Sequence, residues 1–400
     1  MIILALIGII LAINIGVLAS WIYFLVLVTW SISMSPKLEW SAKYKIKLKP
    51  KVSIIVPARN EEGVIFNCLQ SLLSQDYGNY EVIAVDDSST DKTLSIISKI
   101  SEKNNQLIPV MAPPMPEGWI GKNWACFQGF QKSSGEILLF TDADTIHKKD
   151  SLSSAVNTMI HDGIDALSLV PKLICYDIIT KCTLPVLSVF LHSRYSPLRV
   201  NNPKNKIGYF FGSFYIISKE NYEKIGKHEK VRQELVEDGA LGRRVKEQKM
   251  KLKLVRGENY IEASWARDPR SLWHGLRRII IPLHKQQKKS AIMVTAFIFF
   301  ILLEPFLILP FSFHYYGDNL LSFLLLIVNI VTIFLLLACT VIQSHFGLLQ
   351  KSIYGLGFAL GCTVITLCFL VSAFDLKRNK VVKWRERSYY IGTKQHPFHL

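Results

Sequence analysis

The chain has 400 residues, enough for one large domain with further elements attached. Half of the residues are apolar and a fifth are charged, a mixture that points to a soluble domain fused to membrane segments. The formal charge of +16 suits nucleic acid, an anionic membrane surface or phosphate-bearing ligands, while seven dispersed cysteines with no Cys-x-x-Cys pair argue against a zinc site and fit a reduced compartment.

Residues 2–33 carry no charge and exceed the roughly 20 residues needed to span hydrocarbon. A secretory leader would have a basic start and a shorter apolar run, so residues 1–33 are read as a retained transmembrane helix. Residues 34–51 follow as a basic linker with Lys43, Lys45, Lys47, Lys49 and Lys51. Lysines directly after an apolar helix mark the cytoplasmic side and favour contact with anionic lipid. No stacking aromatics or binding module accompany them, so no nucleic acid partner is expected.

From 52 to 269 strand-like and helix-like segments alternate, with strands expected at 52–56, 80–85 and 136–140 and helices at 64–75 and 91–100. That alternation predicts an α/β fold with a doubly wound, mostly parallel sheet covered on both faces. Ligands of such sheets bind beyond the carboxyl ends of the strands. The three strands run into Pro57-Ala58-Arg59-Asn60-Glu61-Glu62, Asp86-Asp87-Ser88-Ser89-Thr90-Asp91 and Thr141-Asp142-Ala143-Asp144. Two carboxylates one residue apart suit a hard divalent cation whose shell is completed by substrate phosphates and water. Taken singly, an Asp-x-Asp is also an ordinary solvated turn, and Asp91 an ordinary helix cap.

In this order and spacing the three clusters resemble glycosyltransferase family 2, whose members have the Rossmann-like GT-A fold. The segment Gly118-Trp119-Ile120-Gly121-Lys122-Asn123-Trp124-Ala125-Cys126 resembles that of bacterial carotenoid (diaponeurosporenoate-type) and hopanoid-associated membrane glycosyltransferases. The resemblance implies a nucleotide-sugar donor, carried by UDP or GDP, and a divalent metal, Mg2+ or Mn2+. It implies that Pro57, Ala58, Asn60, Glu61, Asp86 and Asp87 line the nucleoside pocket and that Lys122 lies near the donor's nucleotide. Asp142 would contact ribose or sugar and share the metal with Asp144, its principal ligand, and the metal would offset charge on the leaving diphosphate.

A second acidic pair, Glu237-Asp238, reads on its own as a helix-start charge cluster. The resemblance sets it near the acceptor, with Asp238 as the general base. Gly212, in Phe211-Gly212-Ser213-Phe214, permits close backbone approach. Trp273-His274-Gly275-Leu276-Arg277-Arg278 occupies the position of the family's Gln/Arg-x-x-Arg-Trp element, but His274 and Arg278 depart from it. Arg277 still aligns and would pair with diphosphate.

Residues 270–290 read as a basic interfacial helix. The membrane region, 291–374, holds apolar runs at 291–313, 320–342 and 353–374, and the basic tail, 375–400, carries seven Lys/Arg. The tail motif Val381-Val382-Lys383-Trp384-Arg385-Glu386-Arg387-Ser388-Tyr389-Tyr390 resembles the "WKGR-x-Y" ending of related membrane transferases, with Glu386 in place of glycine. Domain and tail both carry the positive charge of a cytoplasmic segment, so an even number of crossings should separate them. Glu304-Pro305 and Pro310 interrupt the first run, which is therefore expected to be interfacial or re-entrant; three crossings with an external tail is the other layout. The expected function is transfer of one sugar, with inversion, to a membrane lipid by a multi-pass cell-membrane protein with a cytoplasmic catalytic domain. A processive polysaccharide synthase and a non-catalytic scaffold are the alternatives.

Overall fold

The computed structural model describes residues 2–39, 49–285, 288–375, 381–384 and 387–390. The linker residues Lys43, Lys45 and Lys47 and the tail residues Lys377, Arg378, Lys380, Arg385, Glu386 and Lys394 lie outside them.

The strands are β1 (Val52–Ala58), β2 (Tyr80–Asp86), β3 (Leu107–Met111), β4 (Ile137–Phe140), β5 (Thr145–His147), β6 (Ala166–Val170), β7 (Lys172–Cys175), β8 (Tyr215–Ser218), β9 (Leu252–Arg256), β10 (Ile261–Ala266), β11 (Val381–Trp384) and β12 (Arg387–Tyr390). The helices between β1 and β9 are α2 (Ile65–Leu73), α3 (Thr93–Ser101), α4 (Gly121–Lys132), α5 (Ser151–His161), α6 (Ile178–Tyr195), α7 (Pro197–Asn201), α8 (Lys219–Lys224) and α9 (Glu237–Glu247). Around them lie α1 (Ile2–Met34), α10 (Pro269–Lys285), α11 (Lys288–Leu302), α12 (Glu304–Tyr315), α13 (Leu320–Ile342), α14 (Ile353–Leu356) and α15 (Phe358–Asp375).

β1, β2 and β4 are apolar along their whole length because helices cover both faces of the sheet. α2 buries Ile65, Cys68, Leu69 and Leu72, the i, i+3, i+4, i+7 stripe of a helix lying on a sheet. The seven-stranded sheet has the order β3-β2-β1-β4-β8-β6-β9, and only β8 runs antiparallel to its neighbours. The Asp87 N–H donates to the Ala58 carbonyl at 2.9 Å and the Thr141 N–H to the Ile55 carbonyl at 3.2 Å. The carboxyl ends of β1, β2 and β4 are thereby tied side by side, and the three polar clusters meet along one edge. A second sheet, β5-β10-β7, begins directly after Asp144 and was not apparent in the sequence pattern.

Among the described residues three helices are long and apolar enough to cross a membrane: Ile2–Met34, Leu320–Gly347 and Phe358–Asp375. A further pair, Ala291–Leu302 and Glu304–Tyr315, is bent by 51°. The bend falls at Glu304-Pro305, where proline interrupts the helical ladder. The pair does not stop partway along α1. The Trp21 indole N–H donates to the Ile301 carbonyl at 3.1 Å, Asn14 donates to Glu304 at 2.7 Å, and Ile308, Phe311 and Tyr315 pack around Ile7 and Leu11. α13 passes back in the opposite sense: Leu325 joins Ile7 and Leu11, Asn329 donates to Asn14 at 3.1 Å, and in the turn that follows α13 the Phe346 carbonyl accepts from Arg256. α15 packs against α6, α10 and α11, and its last residue, Asp375, pairs with Arg277 at 2.7 Å.

Asn14, Glu304 and Asn329 thus join three apolar helices through buried polar contacts. Asn14→Leu removes one partner from both of the others. It is expected to cost about 1–2 kcal/mol, read as a lower melting temperature of the full chain in detergent, whereas Glu304→Gln, which keeps an acceptor for Asn14, should cost less.

Candidate active site

Lys122 occupies the first turn of α4, and its ammonium lies 2.7 Å from Asp142 Oδ1 and 2.6 Å from Glu237 Oε1. Burial disfavours its charge, but Asp142, Glu237 and Asp238 outweigh that and hold Lys122 well above the ordinary lysine value. Asp238 opens α9 beside Glu237; its Oδ2 accepts from the Gly212 N–H at 2.9 Å and its Oδ1 from the Gly239 N–H at 2.7 Å. Burial, and then the Glu237 carboxylate, push Asp238 up to about 7 against the pull of Lys122. A Cβ at position 212 would stand 2.9 Å from both Asp238 Oδ2 and Lys122 Nζ and 3.2 Å from Asp142 Oδ2. Gly212 is therefore required by close approach, as its sequence context suggests.

A second cation lies beside Asp144. Arg267, directly after β10, pairs closely with Glu61 and lies 3.9 Å from Asp144 Oδ2. Arg267 lies just before the stretch 270–290 that reads as a basic interfacial helix. Its signal as a site residue was only its position at a strand end.

Apart from Glu61, which pairs with Arg267, the expected nucleoside residues divide into two groups. Asp87 is buried and pairs with Arg387 of β12, at 2.5 Å from Oδ2 and 3.2 Å from Oδ1. Burial raises the Asp87 carboxyl, and Arg387 opposes that. Pro57 and Ala58 close β1 alongside it. Asp86 and Asn60 instead build the loops: Asp86 accepts from the Ser89 N–H at 3.1 Å, and Asn60, at φ +52°, accepts from the Thr90 N–H at 2.9 Å. Arg277 also lies apart from the Lys122 cluster. α10 carries it to the end of α15, where it meets Asp375 instead of a position beside the acidic residues.

Among the described residues no three His, Cys, Asp or Glu side chains converge on one metal position. Asp142 and Asp144 fit a cation that takes two hard oxygen ligands from the protein and the rest from phosphate and water; they do not fit an all-protein cage. All seven cysteines are buried and free, packed as small apolar groups.

The sheet order and the carboxylate-bearing strand ends define a GT-A fold. The mannosyltransferase of Pyrobaculum calidifontis, solved with GDP-Man and Mn2+, superposes with a TM-score of 0.55 at 18% identity, covering 92% of this chain and 99% of that one. Residues 53–226 match the model of glycosyl transferase family 2, and the chain carries a domain of that family. A probable glycosyltransferase of Bacillus subtilis is 34% identical over 119 residues, 29% of this chain and 28% of that protein. The 4,4'-diaponeurosporenoate glycosyltransferase of Staphylococcus aureus is 26% identical over 258 residues, 60% of this chain. The match spans 65% of that relative's length.

Lys122→Met would leave three carboxylates without their shared cation. Removing one partner from a buried ion cluster costs about 3–5 kcal/mol, and here the loss should depend on pH. Asp238, raised in the fold, already costs stability as pH climbs from the ordinary aspartate range to about 7. Without Lys122 its pKa rises further, so the variant should lose more stability at pH 8 than at pH 5, measured by denaturation of the full chain at both.

Proposed function

We propose that the protein is an inverting glycosyltransferase that moves a single sugar from a UDP- or GDP-sugar to a membrane lipid. The observation that carries this reading is the convergence of Asp238 with Lys122 and Asp142 beside Asp144, at the carboxyl edge of the sheet. The arrangement brings a carboxylate with a raised pKa to a cluster suited to a donor's phosphates and sugar.

In this reading the nucleoside lies against Pro57, Ala58 and Asp87. Asp144 and Asp142 hold a divalent cation, which when bound lowers the charge on the departing diphosphate. The acceptor oxygen attacks C1 of the sugar from the side opposite the diphosphate. The new C1–O bond forms as the bond to the phosphate oxygen breaks, and Asp238 takes the acceptor's proton. Lys122 keeps Asp142 and the Glu237-Asp238 pair together so that donor and acceptor groups stay in register. Where the acceptor is itself a carboxylate, Asp238 orients it and no proton need move.

The lipid acceptor is supported by the apolar helices built against the catalytic domain and by the name of the S. aureus relative, a diaponeurosporenoate transferase. The departure at His274 and Arg278, together with the removal of Arg277 to Asp375, weighs against processive polymer synthesis. The helix packing favours α1, the bent α11–α12 pair and α13 as the crossings, with α15 held on the catalytic side at its final turn. In that arrangement 291–313 is a broken span instead of a re-entrant segment, and two crossings separate domain from tail. Lysine flanks make that shared side cytoplasmic.

The test is incubation of the full chain in detergent with labelled UDP- and GDP-sugars and a bacterial lipid extract. One-sugar lipid products are expected. Long polymer, or no transfer with any donor, would overturn the reading. Asp144→Ala should abolish metal-dependent turnover. Asp238→Asn should keep donor binding, measured by calorimetry, while transfer to a hydroxyl acceptor falls about 10²–10⁴-fold. For wild type, turnover should rise with pH through about 7 as Asp238 loses its proton, and that limb should vanish in Asp238→Asn.

A further inference from the structure

Glu61 lies three residues beyond the end of β1, with its side chain buried. Its Oε2 accepts from Arg267 Nη2, and the same nitrogen lies 3.9 Å from Asp144 Oδ2. The Arg267 side chain is 39% exposed, whereas that of Glu61 is 6% exposed. The guanidinium therefore lies over the buried carboxylate, at the solvent edge of the acidic cluster. Burial disfavours the Arg267 charge, but Glu61 first and Asp144 next outweigh it.

The backbone holds Arg267 at this distance from both sides. β5 leaves directly after Asp144 and pairs antiparallel with β10, Thr145 opposite Ala263. Four residues beyond Ala263, the Arg267 N–H donates to Ser271 Oγ at 3.0 Å as α10 begins. Glu61 is fixed separately: its N–H donates to Thr93 Oγ1 at 2.7 Å, and its carbonyl accepts from Val64 and Ile65. A guanidinium beside two carboxylates lies nearer the one with the stronger pull, here Glu61.

We infer that Glu61 and Arg267 form a positioning pair that sets the metal affinity of Asp144. Glu61 holds the guanidinium aside, so that Asp144 can take a divalent cation. Without Glu61 the guanidinium moves onto Asp144 and competes with the cation for it. Without Arg267 a repulsive charge is removed from beside the cation position, and the cation binds more tightly. The inference rests on the proposed metal role of Asp144.

Free Mn2+ is followed by its electron paramagnetic resonance signal during titration of the full chain in detergent, at excess UDP and in a parallel series at excess GDP. Arg267→Gln should bind Mn2+ roughly fivefold more tightly than wild type, and Arg267→Lys should stay near wild type. Glu61→Gln should bind roughly tenfold more weakly, but in the Arg267→Gln background the same change should cost less than about twofold. A merely structural role for Arg267 would weaken binding in Arg267→Gln, and that result overturns the inference. An equal loss from Glu61→Gln in both backgrounds also overturns it, because Glu61 would then act on the metal through its own charge. Should Glu61→Gln fail to fold, the sign of the Arg267→Gln change still decides. Wild-type binding that is lost in Asp144→Ala, with Arg267→Gln unchanged, overturns the inference alone. No Mn2+ binding by wild type overturns the metal reading and the inference together.

Discussion

One ammonium group organises the acidic edge of the sheet. Lys122 is held between Asp142 and Glu237, with Asp238 close by, and these residues come from α4, the end of β4 and the start of α9. Each carboxylate alone would be costly to bury, and two adjacent ones more so. The lysine makes their convergence possible, and the absent side chain of Gly212 leaves room for it. Asp238 keeps a raised pKa because burial and Glu237 outweigh Lys122, so the same cation that assembles the site leaves Asp238 basic enough to accept a proton.

Arg267 supplies positive charge at the opposite side of the Asp-x-Asp loop, beside Asp144 and Glu61. It stands where the second sheet ends and α10 begins. α10 then buries Leu272, Leu276 and Ile280 in the same apolar cluster as Trp21, Leu336 and Cys362 of the flanking helices. The apolar helices and the acidic loop are therefore coupled through a few residues of backbone.

The strand ends were legible in the sequence because a parallel strand buried on both faces is an unbroken apolar run, and the residues that follow it are polar by contrast. Asn60-Glu61, Asp86-Asp87 and Asp142-Asp144 stood out for that reason. Their division of labour was not legible. Asp86 and Asn60 shape loops through bonds to Ser89 and Thr90, while Asp87 and Asp144 face charged partners; a local motif does not say which carboxylate turns inward. Arg277 and Arg267 lie ten residues apart in one basic stretch, and their fates depend on where β10 stops and α10 starts. That boundary is set by the Asp268–Ser271 cap, a signal overshadowed by the family-like spacing around Arg277.

The interruption at Glu304-Pro305 was also visible, but its consequence depended on partners far away in sequence. A glutamate among apolar helices is costly when it faces lipid and tolerable when polar neighbours meet it. Here Asn14 meets Glu304, and Asn14 in turn accepts from Asn329, so the bend can be accommodated within a three-helix bundle. The same packing bears on the tail. Arg387 grips Asp87 with both nitrogens, and Asp375 is held by Arg277, so the chain beyond α15 must return to the catalytic domain. A layout that sends the tail to the far side of a membrane would have to break both ion pairs and leave the buried carboxylate of Asp87 without its strongest partner. The tail contact thus constrains the membrane topology more tightly than the hydropathy of any single helix does.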